Sequence, residues 1–198
     1  MPKPIAIIRY NAGNIQSVLF ALERLGVAAI VTDDHETIRN AGHVIFPGVG
    51  AANSAMPYLK EHGLDELIRS LEQPFLGICL GMQLMCRHSE EGDTACLGIF
   101  DIAVKKFHSP TAHFKIPHMG WNRIEQLQSP LFSGVAEGSA VYFVHSFYAE
   151  NAKAAIATCN YGKPFSAALK FGNFIGVQFH PEKSADVGEI ILKNFLAL

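Results

Sequence analysis

The chain has 198 residues, of which 49% are hydrophobic, so it can bury a large core and is not expected to be disordered. A formal net charge of -2, with no basic run longer than Lys105-Lys106, gives no electrostatic reason to expect nucleic acid or a membrane as partner. No apolar stretch reaches the roughly 18 residues of a membrane span. The four cysteines have no paired short spacing, which favours a reduced, cytoplasmic protein without a disulfide framework or a zinc site.

The first half of the chain alternates short apolar segments with amphipathic ones. The apolar segments predict strands at 5–8, 28–31, 44–46 and 75–78, and the amphipathic segments predict helices at 14–25, 54–60, 64–71 and 80–88. Asn14 is expected to cap the first helix and Gly26 to end it. Strands this short and this apolar are typical of a parallel sheet that is covered by helices on both faces.

The second half changes character after Gly98, where short apolar runs are separated by Gly, Pro, Ser and Asn. These runs predict strands at 99–107, 140–144, 154–159, 166–171 and 174–179, followed by a helix at 186–198. No repeat or linker marks a second domain. The sequence therefore predicts a single α/β domain over residues 1–198, with a central, mostly parallel sheet flanked by helices and added antiparallel strands in the second half.

A cysteine lies at the predicted turn between the strand at 75–78 and the next helix. Gly77 and Gly81 flank Cys79 at a distance of two residues, which is the pattern of a nucleophile elbow. The start of the helix favours the thiolate, and the N–H of Leu80, unpaired by the helix, can face a developing oxyanion. The alternative is a buried structural cysteine, and that role is favoured for the other three cysteines.

A histidine and a glutamate follow the strand predicted at 174–179. Reactive groups gather at the carboxyl ends of strands in an α/β sheet, so His180 is placed to exchange a proton with Cys79. Glu182 can hold the imidazole tautomer, as the third member of a triad does. A lone histidine at a strand end is more often structural, but its occurrence with Glu182 and the cysteine turn favours catalysis.

The loop Pro47-Gly48-Val49-Gly50 follows the third predicted strand. Its glycines permit close approach of a ligand to the main chain, so the N–H of Val49 or Gly50 can serve as a second oxyanion donor. Such a donor contributes roughly 3 kcal/mol to transition-state stabilisation. Alone the tetrad is typical of a simple turn, but its position one crossover before the cysteine strand favours the functional interpretation.

The order of these three segments (the glycine loop, the cysteine turn and the histidine segment) resembles that of the class I (triad) glutamine amidotransferases. The resemblance covers nearly the whole chain. Longer segments are similar to the glutaminase subunit of imidazole glycerol phosphate synthase: YNAGN at 10–14, PHMGWN at 117–122, YFVHSFY at 142–148 and QFHPEKS at 178–184. Their combination is specific, whereas many relatives share the elbow and triad. The chain departs from the family pattern at Arg9, 11–12 and Phe147.

The resemblance implies an activity and a partner. The protein is expected to hydrolyse glutamine to glutamate and ammonia without a cofactor. Ammonia would pass to a separate (β/α)₈-barrel cyclase subunit, bound as a heterodimer. That subunit makes imidazole glycerol phosphate and an aminoimidazole carboxamide ribotide in histidine biosynthesis.

The resemblance also implies a role for each matching residue. It assigns the nucleophile, base and orienting acid to Cys79, His180 and Glu182. It assigns the oxyanion donors to Val49, Gly50 and Leu80, and glutamine binding to Gly48, Gln83, Ser146 and Phe147. It places on the cyclase-facing side Asn14, Pro117, His118, Met119, Trp121 and Lys183.

Several points stay open at this stage. For Met119 and Trp121, packing in the core is as well supported as contact with a partner. His108, His113 and His118 are spaced five apart without a second ligand cluster, so no metal site is expected.

Two other functions remain as alternatives. One is a glutaminase for a different acceptor, such as the anthranilate, aminodeoxychorismate or pyridoxal phosphate synthases. Those are not expected to carry PHMGWN and HSFY together. The other is a non-catalytic regulatory or scaffold subunit, against which the intact Cys79, His180 and Glu182 argue.

Overall fold

The fold is that of a computed structural model, which describes residues 3–11, 13–108 and 115–198. The described strands are β1 (Ile5–Ile8), β2 (Ala29–Thr32), β3 (His43–Phe46), β4 (Phe75–Ile78), β5 (Cys86–Ser89), β6 (Thr94–Ala95), β7 (Phe100–Lys106), β8 (His118–Arg123), β9 (Ala140–His145), β10 (Phe147–Ala149), β11 (Ala155–Asn160), β12 (Pro164–Phe171) and β13 (Phe174–Val177). The described helices are α1 (Ile15–Arg24), α2 (His35–Asn40), α3 (Ala52–Glu61), α4 (Leu64–Arg69), α5 (Leu80–Met85) and α6 (Ala185–Leu196), with 3-10 turns at Pro130–Phe132 and Pro181–Lys183.

A seven-stranded sheet forms the centre, in the order β11-β12-β13-β4-β3-β1-β2. Strands β2, β1, β3, β4 and β13 are parallel, whereas β12 and β11 are antiparallel additions at one edge. The predicted fold class is therefore confirmed. Strands β4 and β13 are neighbours, and Ile78 at the end of one pairs with Val177 near the end of the other. The residues that follow them reach the same edge of the sheet.

Two smaller sheets lie beside the central one. The first has the order β10-β7-β5-β6, and the second is the antiparallel pair of β8 and β9. In that pair His118 lies directly opposite His145. Strand β9 leads through Ser146 into β10, so this ribbon runs straight into the segment predicted to contact glutamine.

The core forms two clusters, one on each face of the central sheet. Alternate residues of β1 point to opposite faces, so Ala6 and Ile8 join one cluster and Ile5 and Ile7 join the other. Burial on both faces explains why the strands are continuously apolar. Within the described ranges, no helix is long and apolar enough to cross a membrane.

The sequence-based expectations did not include α2, β5, β6, β8 and β10. Helix α2 was not predicted, because its only buried residue is Ile38 and its start is set by Asp34, whose carboxylate accepts the Thr37 N–H at 2.8 Å. The helix predicted at 80–88 ends at Met85, where Cys86 turns extended and begins β5. Strand β8 was not predicted either, because its exposed face carries large apolar side chains and hides the alternation.

Candidate active site

Cys79 occupies a strained turn between β4 and α5. Its φ of 52° and ψ of -107° lie in a region that side chains rarely adopt. A Cβ atom on Gly77 would lie 2.5 Å from Cε of Met85, and one on Gly81 would lie 1.9 Å from the carbonyl oxygen of Phe46. Both positions therefore require glycine, as the elbow pattern predicts.

His180 and Glu182 form a buried pair at the end of β13. The Nδ1 atom of His180 lies 2.7 Å from Oε1 of Glu182, and both side chains are fully buried. Burial lowers the pKa of His180, but the Cys79 side chain and then the Glu182 carboxylate outweigh it and raise this pKa to about 10. The Nε2 atom is buried without a hydrogen-bond partner among the described residues, which leaves it for proton exchange.

Asn14 belongs to this pair as well. It holds the position before α1 with a φ of 73°, but its side chain does not cap the helix, so that prediction is wrong. Instead its amide donates to Oε1 of Glu182 and lies 3.5 Å from Nδ1 of His180. The carboxylate oxygen that orients the imidazole is thus fixed by a second donor. The sequence pattern indicated the residue but not this contact.

Two buried glutamines lie beside Cys79, and one of them contacts its sulfur. Nε2 of Gln178 lies 3.7 Å from Sγ of Cys79, and Oε1 of Gln178 accepts from Nε2 of Gln83 at 3.0 Å. Gln83 also donates to the carbonyl of Phe147 at 2.9 Å. Both amide hydrogens of Gln83 are therefore engaged, and its Oε1 is the atom that can accept from a ligand. Gln178 lies in the QFHPEKS segment but received no role from sequence.

A cavity of about 340 Å³ opens beside Cys79, and its size suits a free amino acid. The lining residues come from the loop after β3, the cysteine turn and α5, the β5–β6 turn, the residue before β8 and the segment around β9 and β10: Val49, Gly50, Cys79, Leu80, Gln83, Glu91, Pro117, Val144, His145, Ser146 and Phe147. The structure thus brings together the predicted oxyanion and substrate residues, except Gly48. His180 and Glu182 do not line the cavity.

Glu91 is a cavity residue that the sequence analysis missed. Its Oε2 accepts the N–H of Ala52 at the start of α3 at 2.8 Å, which fixes the carboxylate in place. A fixed carboxylate in an amino-acid-sized cavity is complementary to an α-ammonium group. No local motif marked Glu91, because it is separated from the elbow in sequence and reaches the cavity only through the β5–β6 turn.

Leu80, one of the predicted oxyanion donors, is already hydrogen-bonded in this conformation. The N–H of Leu80 has no acceptor within the helix, as predicted, but it donates to the carbonyl of Gly48 at 3.3 Å. The main chain at Gly48 packs tightly against Tyr10, because a Cβ atom on residue 48 would lie 2.1 Å from the Tyr10 hydroxyl. The Leu80 N–H can stabilise an oxyanion only after the Gly48 carbonyl has moved away.

The residues predicted to face a partner separate into two groups. Met119 and Trp121 are 62% and 56% exposed, so core packing is excluded for both, and Pro117 and Lys183 are exposed as well. His118 is only 3% exposed and stacks on Tyr161 with ring centroids 3.9 Å apart. The assignment of His118 to the partner surface is therefore corrected: its side chain points into the protein.

The structure also bears on metal binding. No group of three or more His, Cys, Asp or Glu side chains that could hold a metal ion occurs within 3–11, 13–108 and 115–198. His113, one of the three spaced histidines, lies outside those residues.

Two buried histidines predict that the protein loses stability in mild acid. Burial lowers the pKa of His118 to about 4 and that of His145 to about 3. Below pH 6.5 the histidines of the unfolded chain become protonated, whereas those of the folded protein stay neutral. The free energy of unfolding therefore decreases as the pH is lowered from about 6.5 to about 4. From pH 7 to pH 5 the loss is about 2 kcal/mol for each histidine.

Urea unfolding at the two pH values measures this loss. His118→Phe is expected to halve it, whereas His108→Gln, at an exposed histidine, is the matched control and should leave it unchanged. Equal pH dependence in the wild type and in His118→Phe would contradict the assignment.

The family of the chain follows from comparison with known proteins. The family model for class-I glutamine amidotransferases matches residues 7–198, so the chain belongs to that family. The imidazole glycerol phosphate synthase subunit HisH of Bacteroides fragilis is 57% identical over 98% of this chain and 99% of its own length. The protein of the same description from Shewanella loihica is 46% identical, with 97% and 89% covered.

Solved structures agree at the level of the fold. A crystal structure of a glutamine amidotransferase superposes with a TM-score of 0.74 at 16% identity, covering 98% of this chain and 97% of that one. At this identity the likeness concerns the fold alone. The family resemblance that the sequence motifs carry is confirmed by the family model and by the close relatives together.

Proposed function

We propose that the protein is the glutamine-hydrolysing subunit of an imidazole glycerol phosphate synthase, that it folds as one domain over residues 1–198, and that it works in the cytoplasm. The proposal rests mainly on Cys79, which has a strained backbone, lines an amino-acid-sized cavity and lies next to the buried His180–Glu182 pair. The identity of the close relatives supports the choice of acceptor.

In the proposed reaction, Sγ of Cys79 attacks the side-chain amide carbon of glutamine and forms a tetrahedral adduct. His180 is protonated at neutral pH, because its pKa is raised to about 10, so it can donate a proton to the leaving ammonia. The C–N bond breaks and a glutamyl thioester remains. Water then attacks this thioester and gives its proton to His180, the C–S bond breaks, and glutamate leaves while the Cys79 thiolate that attacked in the first step is restored.

Stabilisation of the adduct requires the Leu80 N–H to be released from its present acceptor. The proposed donors are the N–H of Leu80 and an N–H of Val49 or Gly50, each worth roughly 3 kcal/mol in the transition state. The bond from Leu80 to the Gly48 carbonyl competes with the oxyanion, so glutamine or a partner must displace that carbonyl. The site in this conformation is therefore expected to hydrolyse glutamine slowly.

Glu91 is proposed to bind the α-ammonium group of glutamine. Glu91→Gln removes the charge but keeps an oxygen for the Ala52 N–H, and it is expected to raise KM about tenfold with a smaller change in kcat. Glutamine-dependent kinetics measure the effect. Glu90→Gln is the matched control, because Glu90 is exposed and pairs with Lys105. An unchanged KM in Glu91→Gln would remove Glu91 from the site.

The proposed docking surface for the barrel cyclase is the outward face of β8. Met119 and Trp121 are exposed there, and Pro117, Lys183 and the partly exposed Asn14 are proposed to extend the contact. Met and Trp are both enriched in protein–protein interfaces, and Trp is among the residues that most often form their hot spots. In a heterodimer docked on this face, ammonia would pass from the cavity to the partner.

The experiment that tests this function is glutamine hydrolysis with and without the barrel subunit. Addition of the barrel should raise the rate, and Trp121→Ala should weaken binding about 30-fold or more. Phe171→Ala is the control, because Phe171 is 65% exposed but lies at the far end of β12, paired with Phe174 at the start of β13 and away from the carboxyl ends of the parallel strands. Absence of hydrolysis with the barrel present, or binding of a chorismate-using partner instead, would contradict the proposal.

A further inference from the structure

Two histidines face each other across the ribbon of β8 and β9. His118 and His145 are paired in register, and Nδ1 of His118 lies 2.9 Å from Nε2 of His145. Both side chains are buried, and the mechanism proposed above uses neither. Burial of two imidazoles in contact is costly unless their nitrogen atoms are hydrogen-bonded, so the atoms that they contact indicate their role.

The inner end of the pair reaches the glutamine cavity. Nδ1 of His145 lies 2.7 Å from the carbonyl oxygen of Phe147, and that oxygen also accepts from Nε2 of Gln83. Gln83 in turn contacts Gln178, which lies against Cys79. One carbonyl oxygen therefore joins the histidine pair to the side chains beside Cys79.

The outer end of the pair is fixed by Asn122. Its Nδ2 lies 3.2 Å from Nε2 of His118 and donates to the carbonyl of Asn160 at 3.0 Å. Because Asn122 donates at one end and Phe147 accepts at the other, neutral rings satisfy all contacts in only one way: each histidine carries its proton on Nδ1. The lowered pKa values of both rings agree with neutral imidazoles.

We propose that His118 and His145 are positioning residues for glutamine binding, which hold the Phe147 carbonyl and through it the side chain of Gln83. The proposal builds on the glutaminase function proposed above. His118 and Asn122 lie on one face of β8, whereas Met119 and Trp121 lie on the other. The strand that carries the proposed docking surface therefore also anchors the glutamine cavity.

A packing role is the competing explanation. His118 stacks between Tyr161 and Phe143, with centroid distances of 3.9 and 4.8 Å, so an aromatic ring alone could fill this place. The two roles differ in what they require: packing needs the rings, whereas positioning needs the nitrogen atoms. Variants that keep an aromatic ring but lack its nitrogen atoms, or that keep a nitrogen donor but lack the ring, therefore distinguish the packing role from the positioning role.

Three variants, measured as complexes with the barrel subunit, make the test. His118→Phe keeps the stacked ring and removes both hydrogen bonds. His145→Leu removes the donor to Phe147, and His145→Asn keeps a donor at the place of Nδ1. We expect KM for glutamine to rise about tenfold in His145→Leu and about fivefold in His118→Phe, with kcat within about threefold of wild type, and His145→Asn to recover most of the KM.

The outcomes are distinguishable. A wild-type KM in His118→Phe would overturn the proposal in favour of packing, and this variant decides the matter even if His145→Leu does not fold. A KM in His145→Asn as high as in a folded His145→Leu would also overturn it. Nitrogen NMR of the imidazoles should find the proton on Nδ1 of both rings, and a proton on Nε2 of His145 would be incompatible. If wild-type protein itself hydrolyses no glutamine, the proposed function fails instead.

Discussion

Replacement of Cys79 by alanine is expected to lower glutamine hydrolysis by about four orders of magnitude or more. Loss of the nucleophile removes the covalent path, and the remaining groups contribute only binding and polarisation. Among the described residues that line the amino-acid-sized cavity, Cys79 is the one non-glycine residue with a positive φ. Ammonia release, measured with saturating glutamine and the barrel subunit present, reports the loss.

Two controls separate loss of chemistry from loss of the fold. Cys86→Ala alters another buried cysteine seven residues further on, whose Sγ contacts the carbonyl of Met82 at 3.6 Å, away from the cavity. This variant should keep its activity. The Cys79→Ala protein should still bind the barrel and permit cyclisation with added ammonia. Substantial ammonia release by Cys79→Ala would exclude the thioester route.

Glu182→Gln is expected to lower glutamine hydrolysis by about 10³-fold, although the side chain keeps its size. The carboxylate accepts from Nδ1 of His180 and from the amide of Asn14. A carboxamide that donates to Nδ1 would favour the tautomer with its proton on Nε2, which cannot accept a proton from water in the second step. Rates of a single turnover measure the effect with least interference from product release.

The pH profile gives a second readout for this variant. Glu182 is one of the groups that raise the pKa of His180, so its neutralisation should move the pKa of His180 downward and shift the basic limb of the activity profile to lower pH. Glu189→Gln is the matched control, because Glu189 is an exposed carboxylate that pairs with Lys193 on α6. A loss below tenfold, with an unshifted profile, would show that Glu182 does not orient His180.

The central sheet was predictable because burial on both faces leaves a simple signal in the sequence. The strands predicted at 5–8 and 75–78 coincide with β1 and β4, which are fully buried. Prediction failed where tertiary contacts decide the structure. The segment after Met85 continues the helical pattern, but pairing of β5 with β7 draws it into a strand. Helix α2 depends on a capping contact more than on apolar periodicity.

The site divides in the same way. Cys79, His180 and Glu182 carry local patterns, and the structure brings the two segments together on adjacent strands. Contacts between residues far apart in sequence have no local sequence pattern from which they could be predicted. Asn14 and Glu182 are 168 residues apart, and Gln178 and Cys79 are 99 residues apart. The closed Leu80–Gly48 contact depends on the conformation of a loop and not on residue identity alone, so sequence could not predict it.

Labelling with a glutamine analogue that carries an electrophilic carbon in place of the side-chain amide tests the central claim most directly. Trypsin should release Ser70 to Arg87 as one peptide that contains both Cys79 and Cys86, so fragmentation by mass spectrometry assigns the modified sulfur. We predict complete modification of Cys79, none of Cys86, and loss of glutamine hydrolysis in proportion. An unmodified Cys79 in protein that still hydrolyses glutamine would contradict the account.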